Sequence, residues 1–209
     1  MLNHSQIVIG PQGLEGDLCI VKPVHGLVVF AHGSGSSRHS QRNRQVAQAL
    51  QRRGLGTLLF DLLTPDEADD RAKVFDIELL AQRMLQALDA LPDQAHGLPL
   101  GLFGASTGAA AALVAAARRP DDVQAVVSRG GRPDLARDSL GSVRAPTLLI
   151  VGGADPEVLE LNRAAYKLLQ CEKRIEIVPR ATHLFQEAGA LETVADLAGR
   201  WFQGHLGTD

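Results

Sequence analysis

Residues 99–114 read Pro-Leu-Gly-Leu-Phe-Gly-Ala-Ser-Thr-Gly-Ala-Ala-Ala-Ala-Leu-Val, and this stretch decides the fold. An apolar run at 98–103 is typical of a strand, and an alanine-rich segment at 109–119, stopped by a proline, predicts a helix. Between them lies Gly-Ala-Ser-Thr-Gly (104–108). A strand that passes into a helix so abruptly strains its apex residue and holds the Ser106 hydroxyl out beyond the sheet. The pattern predicts a nucleophile elbow.

Two glycines flank that serine at a distance of two residues. At Gly104 and Gly108, a larger side chain would collide with the neighbouring strand and helix, which explains the G-x-S-x-G spacing. The alternative is a plain strand-to-helix turn in which the Ser106 side chain caps the helix. The residues around the turn must decide between the two.

Length and composition predict one ordinary globular domain spanning residues 1–209. The chain is 45% hydrophobic and 22% charged, and a net charge of −3 gives no argument for binding nucleic acid or an acidic membrane surface. The N-terminus lacks the pattern of a signal peptide, and no apolar stretch is long enough to span a bilayer, so we expect a soluble, cytoplasmic protein. Cys19 and Cys171 show no metal-ligand or redox spacing. We expect buried free thiols, no metal and no cofactor.

Strands and helices alternate along the chain. Apolar runs predict strands at 26–31, 55–63, 98–103, 123–128, 146–151 and 174–178, after an edge hairpin of 6–9 and 17–21. Helices are predicted at 43–53, 77–91, 109–119, 157–169 and 191–202, a polar loop at 64–71 and a loose tail at 204–209. This order predicts an α/β fold with a mostly parallel sheet and helices on both faces. Because the connection 130–145 is short, we expect no lid domain, and ligands should bind beyond the carboxyl ends of the strands.

A serine hydroxyl becomes a nucleophile when a base accepts its proton, and that base needs an orienting acid. Asp155 follows the strand at 146–151, and His183 follows the last strand, which gives the chain order Ser, Asp, His. We predict Ser106 as nucleophile, Asp155 as acid and His183 as base. Asp155 also suits the N-cap of the next helix, and Asp61, at the end of an inner strand, is the alternative acid.

Negative charge that builds on a substrate carbonyl oxygen needs hydrogen-bond donors already in place. The backbone N–H of Thr107 comes with the elbow and lies at a helix N-terminus. The second donor should come from the loop after the strand at 26–31, from the N–H of Ser34 or that of Gly35. His32 is expected to shape that glycine-rich loop.

Four arginines fall in loops expected near the carboxyl ends of strands. Arg38, Arg42 and Arg129 are the predicted substrate contacts, with Arg132 close by in the sequence. Arginines that converge there would suit a carboxylate or a phosphate on the substrate. The alternative is that they are ordinary solvated or helix-capping side chains.

Taken together, these motifs resemble the α/β-hydrolases, and among them the small lidless dienelactone hydrolase-like group. The resemblance covers nearly the whole chain, from His-Gly-Ser-Gly (32–35) through the elbow and Gly-Gly-Ala-Asp-Pro (152–156) to Ala-Thr-His (181–183). It implies the same three catalytic residues. Dienelactone hydrolases carry cysteine in the elbow, whereas this chain has Ser106, so dienelactone is not carried over as the substrate.

The leading hypothesis is a serine hydrolase that cleaves a small ester or thioester, including an anionic one, through an acyl-enzyme and without a cofactor. It would need neither nucleic acid nor a membrane as partner. The alternative is a non-catalytic protein of the same fold that binds a small molecule or a protein. A dinucleotide-binding oxidoreductase is disfavoured because Gly101, Gly104 and Gly108 do not form G-x-G-x-x-G.

Overall fold

One eight-stranded sheet runs through residues 2–207, the part of the chain that the computed structural model describes. Its strands are β1 (Leu2–Ile9), β2 (Leu14–Val21), β3 (Gly26–Ala31), β4 (Leu55–Phe60), β5 (Leu100–Ala105), β6 (Val123–Arg129), β7 (Thr147–Gly152) and β8 (Lys173–Val178). The inner strands are apolar and buried at almost every position, because both faces of the sheet are covered.

The helices alternate with the strands. They are α1 (Gln41–Gln51), α2 (Pro65–Ala68), α3 (Arg71–Val74), α4 (Ile77–Asp89), α5 (Thr107–Arg118), α6 (Arg137–Leu140), α7 (Pro156–Leu168) and α8 (Ala190–Leu206). Several of these helices are capped at their N-termini by short polar side chains that accept hydrogen bonds from backbone N–H groups. Ser40 caps α1 in this way, and Asp76 caps α4. These caps fix where each helix enters the layer that covers the sheet.

The strand order is β1-β2-β4-β3-β5-β6-β7-β8. Strand β2 pairs antiparallel with β1 and with β4, and the pairings from β4 to β8 are parallel. The carboxyl ends of β3 to β8 therefore meet at one edge of the sheet, where ligands bind in folds of this kind. The predicted α/β class, edge hairpin and mostly parallel sheet are confirmed.

Two hydrophobic cores lie on opposite faces of the sheet. Alternate residues of β5 enter different cores, because successive side chains on a strand point to opposite faces. Leu102 packs under α4 and α5, while Phe103 packs under α1 and α8 and stacks at 4.8 Å against Phe30. The chain thus forms three layers, with α5 held close to the sheet by its small, buried alanines.

The segment after β4 differs from its prediction. The strand ends at Phe60, and the region expected to be a polar loop, 64–71, forms α2 and begins α3. Thr64 and Glu67 cap α2 reciprocally, each side chain accepting the other's backbone N–H. The buried Arg83 of α4 donates to the Glu67 carboxylate at 3.0 Å. These polar contacts stabilise α2 although its segment has the polar composition of a loop, and they attach α2 to α4.

The C-terminal end also differs from its prediction. Helix α8 continues to Leu206, so residues 204–206 of the predicted tail are helical, and Thr208 and Asp209 lie outside the described residues. Between β6 and β7 the chain forms only a 3₁₀ turn and the four-residue α6, and no lid covers the sheet edge in residues 2–207.

Two further sequence predictions can be compared with the structure. Cys19 is a buried free thiol as predicted, whereas Cys171 is free but only half-buried, and burial raises the pKa of both thiols. Among residues 2–207 no helix combines the length and the apolar character needed to cross a lipid bilayer.

Candidate active site

Ser106 is the single residue between β5 and α5. Its backbone has φ 51° and ψ −122°, a conformation that residues with a side chain rarely adopt. Although Ser106 occupies the N-cap position of α5, its side chain makes no capping hydrogen bond. The capping alternative is therefore wrong, and the hydroxyl is left for another role.

The glycines on either side of the serine are enforced by close packing. A Cβ on Gly104 would lie closer than 3.0 Å to the Cα of Ala109, and one on Gly108 would be as close to the carbonyl oxygen of Ala31. Real Cβ atoms do not approach so closely. The explanation of the G-x-S-x-G spacing given by the sequence is confirmed.

His183 and Asp155 form a hydrogen-bonded pair. His183 Nδ1 lies 2.9 Å from Asp155 Oδ2, with 37% and 17% of the two side chains exposed. The other carboxylate oxygen accepts the N–H of Val158 at 3.4 Å and so caps α7. Asp155 thus caps α7 and contacts His183 at the same time. A carboxylate on Nδ1 leaves Nε2 of His183 as the nitrogen available for proton transfer.

The end of β6 connects this pair to the elbow. The N–H of Ser106 donates to the carbonyl of Arg129 at 3.4 Å. At the next residue, Gly130, a Cβ would lie 3.1 Å from the carbonyl oxygen and 3.7 Å from Nδ1 of His183. Ser106 and His183 therefore lie against adjacent residues, Arg129 and Gly130, at the carboxyl edge of the sheet.

The alternative acid, Asp61, is engaged elsewhere. Its Oδ1 accepts the backbone N–H of Arg38 at 2.8 Å, and its Oδ2 contacts the Arg38 guanidinium, which also pairs with Glu15. Partial burial acts to lower the pKa of Arg38, but the hydrogen bond and charge of Asp61 raise it overall. Between the two candidates, the histidine is paired with Asp155.

The loop of residues 32–37, here called the oxyanion loop after its predicted role, lies directly against Ser106. A Cβ on Gly33 would come within 2.9 Å of the Cβ of Ser106. The N–H of Ser34, a predicted oxyanion donor, donates to the Thr107 hydroxyl at 3.1 Å. The N–H of Thr107 itself belongs to the first turn of α5, where backbone donors have no acceptor within the helix.

His32 shapes the oxyanion loop, as the sequence analysis expected. Its Nε2 accepts the N–H of Leu62 at 3.0 Å, so Nδ1 carries the proton and donates to the carbonyl of Gly33 at 3.0 Å. Burial lowers the pKa of His32. The imidazole is thus a neutral bridge between the ends of β3 and β4.

Within residues 2–207, two of the four arginines pair with carboxylates and two do not. Arg38 and Arg132 are paired, Arg132 with Asp134 through bonds of 2.9 and 2.8 Å. Arg129 is 7% exposed and donates to the side chain of Asn43 at 3.1 Å. Burial and the neighbouring charge of Arg42 lower the pKa of Arg129 to about 10.

A cavity of about 420 Å³ opens beside the oxyanion loop and Thr107. Its apolar wall comes from the segment between β4 and α4, through Leu62, Leu63 and Val74, and from Leu80 of α4. This wall was not predicted from the sequence, because Leu62 and Leu63 were assigned to the end of a strand and residues 64–71 to a polar loop. The helical spacing and the Thr64–Glu67 capping pattern were the available signals.

Comparison with known proteins places this arrangement in a family. A family model described as Hydrolase_4, serine aminopeptidase S33, matches residues 22–131, just over half of the chain. The crystal structure of a dienelactone hydrolase from Anabaena variabilis matches with a TM-score of 0.93 at 53% sequence identity, covering 98% of each chain. The chain belongs to the α/β-hydrolases, in the dienelactone hydrolase-like group. The resemblance predicted from the motifs is confirmed.

Two other proteins resemble this α/β-hydrolase, one in sequence and one in fold. A Mycobacterium tuberculosis protein provisionally named a phosphoribosyl transferase is 60% identical over 204 residues, which are 96% of this chain and 46% of that protein. The present chain spans about half the length of that relative, whose name describes the longer protein. A lidless serine hydrolase from Xanthomonas campestris shares the fold, with a TM-score of 0.79 at 20% identity over 99% of this chain and 97% of its own.

Proposed function

We propose that this α/β-hydrolase is a serine hydrolase that cleaves a small ester or thioester through an acyl-enzyme. The observation that carries the proposal is the 2.9 Å contact of His183 with Asp155 at the edge where the strained Ser106 stands. A histidine oriented by a carboxylate, near a serine at the apex of a strained turn, is the arrangement that nucleophilic acyl transfer needs.

In the first half-reaction the Ser106 Oγ attacks the substrate carbonyl carbon while His183 Nε2 takes the hydroxyl proton. Asp155 holds the ring through Nδ1 and stabilises the imidazolium. The tetrahedral intermediate then collapses: its bond to the leaving oxygen or sulfur breaks, and His183 returns the proton to the departing alcohol or thiol. The product is an ester between the acyl group and Ser106.

In the second half-reaction water attacks the acyl carbon and His183 takes a proton from it. The bond to Ser106 Oγ breaks, the serine regains its proton, and a carboxylic acid leaves. The half-buried serine and the absence of a lid over the described residues fit this step, because water must reach the acyl group.

The oxyanion that forms in both steps would be held by backbone donors. The N–H of Thr107 stands at the positive end of α5. The N–H of Ser34 would exchange its bond to the Thr107 hydroxyl for one to the substrate oxygen. Each such donor contributes about 3 kcal/mol of transition-state stabilisation.

The cavity beside the oxyanion loop would take the uncharged part of the substrate. Its apolar lining from Leu62, Leu63, Val74 and Leu80 suits a short aliphatic or cyclic group. A lactone, the kind of ester named for the Anabaena variabilis relative, is within the same reaction class.

The deciding experiment is labelling with a fluorophosphonate probe, followed by mass spectrometry of the adduct. We expect one adduct, on Ser106, that is absent from Ser106→Ala and present in the control Ser142→Ala, which changes an exposed serine. A panel of ester and thioester substrates then identifies the preferred bond. A well-folded wild type that neither labels nor turns over any of them would favour the non-catalytic alternative.

A further inference from the structure

Arg42 and Arg129, here called the arginine pair, are two neighbouring cations that no carboxylate neutralises within residues 2–207. The Nε atoms of both side chains are buried without a hydrogen-bond partner in the same part of the chain. The Arg129 guanidinium has one protein acceptor, the Asn43 side chain, and otherwise faces the ring of Phe185 at 6.0 Å.

This arrangement is unfavourable for the protein by itself. Burying a cation is costly unless an anion and hydrogen bonds compensate it, and a second cation beside it adds repulsion. Arg129 bears both penalties, from its burial and from Arg42, which is why its pKa falls to about 10. Neutral pH lies well below 10, so the Arg129 guanidinium remains charged there, and with its neighbour Arg42 it forms a preformed site of positive potential.

The position of the pair relates it to the proposed chemistry. Arg129 is the last residue of β6, and its carbonyl accepts the N–H of Ser106. Its guanidinium lies near Phe185, two residues after His183. Arg42 belongs to the first turn of α1, directly after the oxyanion loop, and is half-buried, so that an ion can reach it from solvent.

We propose that Arg42 and Arg129 bind an oxyanion group, a carboxylate or a phosphate, carried by the substrate, so that the hydrolase acts on acidic esters. The inference rests on the proposed function and names its substrate class. The planar guanidinium donates to two oxygens of such a group at once, and an arriving anion would remove the electrostatic penalty described above.

The other two arginines do not take this role. The charge of Arg38 is compensated by Asp61 and Glu15, and that of Arg132 by Asp134. Their guanidinium groups already hold bidentate or multiple carboxylate contacts, so an incoming anion would be repelled by those carboxylates. Arg38, one of the predicted substrate contacts, therefore has a structural role instead: it joins the end of the oxyanion loop to Asp61 and Glu15.

The test compares two esters of equal chain length, p-nitrophenyl hydrogen glutarate and p-nitrophenyl pentanoate, at constant ionic strength. For the wild type we expect the higher kcat/KM on the acidic ester. Arg42→Gln and Arg129→Lys should reduce the ratio of acidic to neutral kcat/KM by about tenfold or more, mainly through KM, since charged hydrogen bonds are lost. Arg132→Gln, the matched control, should leave that ratio unchanged.

A binding measurement keeps this inference separate from the proposed function. Calorimetry on Ser106→Ala with glutarate and, separately, inorganic phosphate distinguishes the two oxyanions, and Arg42→Gln in that background should weaken the preferred one about tenfold. If neither ester is hydrolysed but this binding and its loss are observed, the hydrolase proposal fails and the arginine site stands. Equal losses on both esters, or binding of neither anion, would overturn the arginine site even if the neutral ester is cleaved.

Discussion

Asp155 contacts two elements with its two carboxylate oxygens: Oδ2 lies 2.9 Å from Nδ1 of His183, and Oδ1 accepts the N–H of Val158 at the start of α7. The helix cap holds the carboxylate in place, and the carboxylate holds the imidazole. The helix cap and the proposed catalytic orientation thus depend on different oxygens of one side chain, so a substitution can separate the two roles.

Asp155→Asn should reduce kcat by about 10³- to 10⁴-fold, because an amide cannot stabilise the imidazolium or fix its tautomer. The fold should be retained, since asparagine caps a helix as well as aspartate does. Steady-state kinetics and urea unfolding check the two parts. Asp155→Ala should add a stability loss of about 1 kcal/mol through the lost cap. A larger activity loss in Asp61→Asn than in Asp155→Asn would contradict this assignment.

Gly108→Ala should prevent stable folding or lower the free energy of unfolding by several kcal/mol. The added methyl group would collide with the backbone carbonyls of Ala31 and His32, which cannot move without breaking β3. Gly204→Ala is the matched control: nothing lies within 4 Å of its new Cβ, and it lies in the exposed end of α8. That change should stabilise by roughly 0.5–1 kcal/mol. Comparable circular dichroism melts for both variants would show that the packing argument is wrong.

The protein should lose stability in mild acid through His32. Its pKa is lowered in the folded state by burial, so the unfolded chain, with a histidine pKa of 6.5, binds the proton first. The contribution is fully present above pH 6.5 and is lost as the pH falls below it, by up to about 1.4 kcal/mol per pH unit. Urea unfolding at pH 7 and pH 5 measures it.

The control for this pH effect is a pair of substitutions. His32→Gln keeps an acceptor for the N–H of Leu62 without a titrating group and should flatten the acid dependence. His96→Gln changes an exposed histidine and should keep the wild-type slope. An unchanged slope in His32→Gln would assign the acid loss to other groups.

Arg129→Met should raise the free energy of unfolding at pH 7 by about 1–3 kcal/mol, since replacing a buried uncompensated charge with an apolar chain is often stabilising. The penalty is present in full at this pH, which lies below the Arg129 pKa of about 10. Loss of the donor to Asn43 offsets part of the gain. Urea titration measures the change. Arg132→Met removes a guanidinium paired with Asp134 and should not stabilise; destabilisation by Arg129→Met would mean that its charge is compensated.

Much of the fold could be predicted because its signals are local. Continuous apolar runs gave the inner strands, and β3 was predicted with its observed bounds, Gly26–Ala31. The short helices α2 and α3 were missed because four residues are too few for periodicity to register. Helix α2 is held in part by a distant side chain, Arg83, which no local pattern indicates.

The sequence by itself determined the elbow, the α/β order and the chain positions of Ser106, Asp155 and His183, because each depends on backbone propensities within a few residues. Only the tertiary structure decided which acid faces the histidine and which arginines keep an uncompensated charge. Asp61 and Asp155 follow strands in the same way, and Arg38 and Arg42 lie in one short segment. Glu15 and Asp61, which pair with Arg38, and Asn43, which accepts from Arg129, lie on other segments than the arginines they contact. Charge compensation and burial therefore exist only once the fold has brought those segments together.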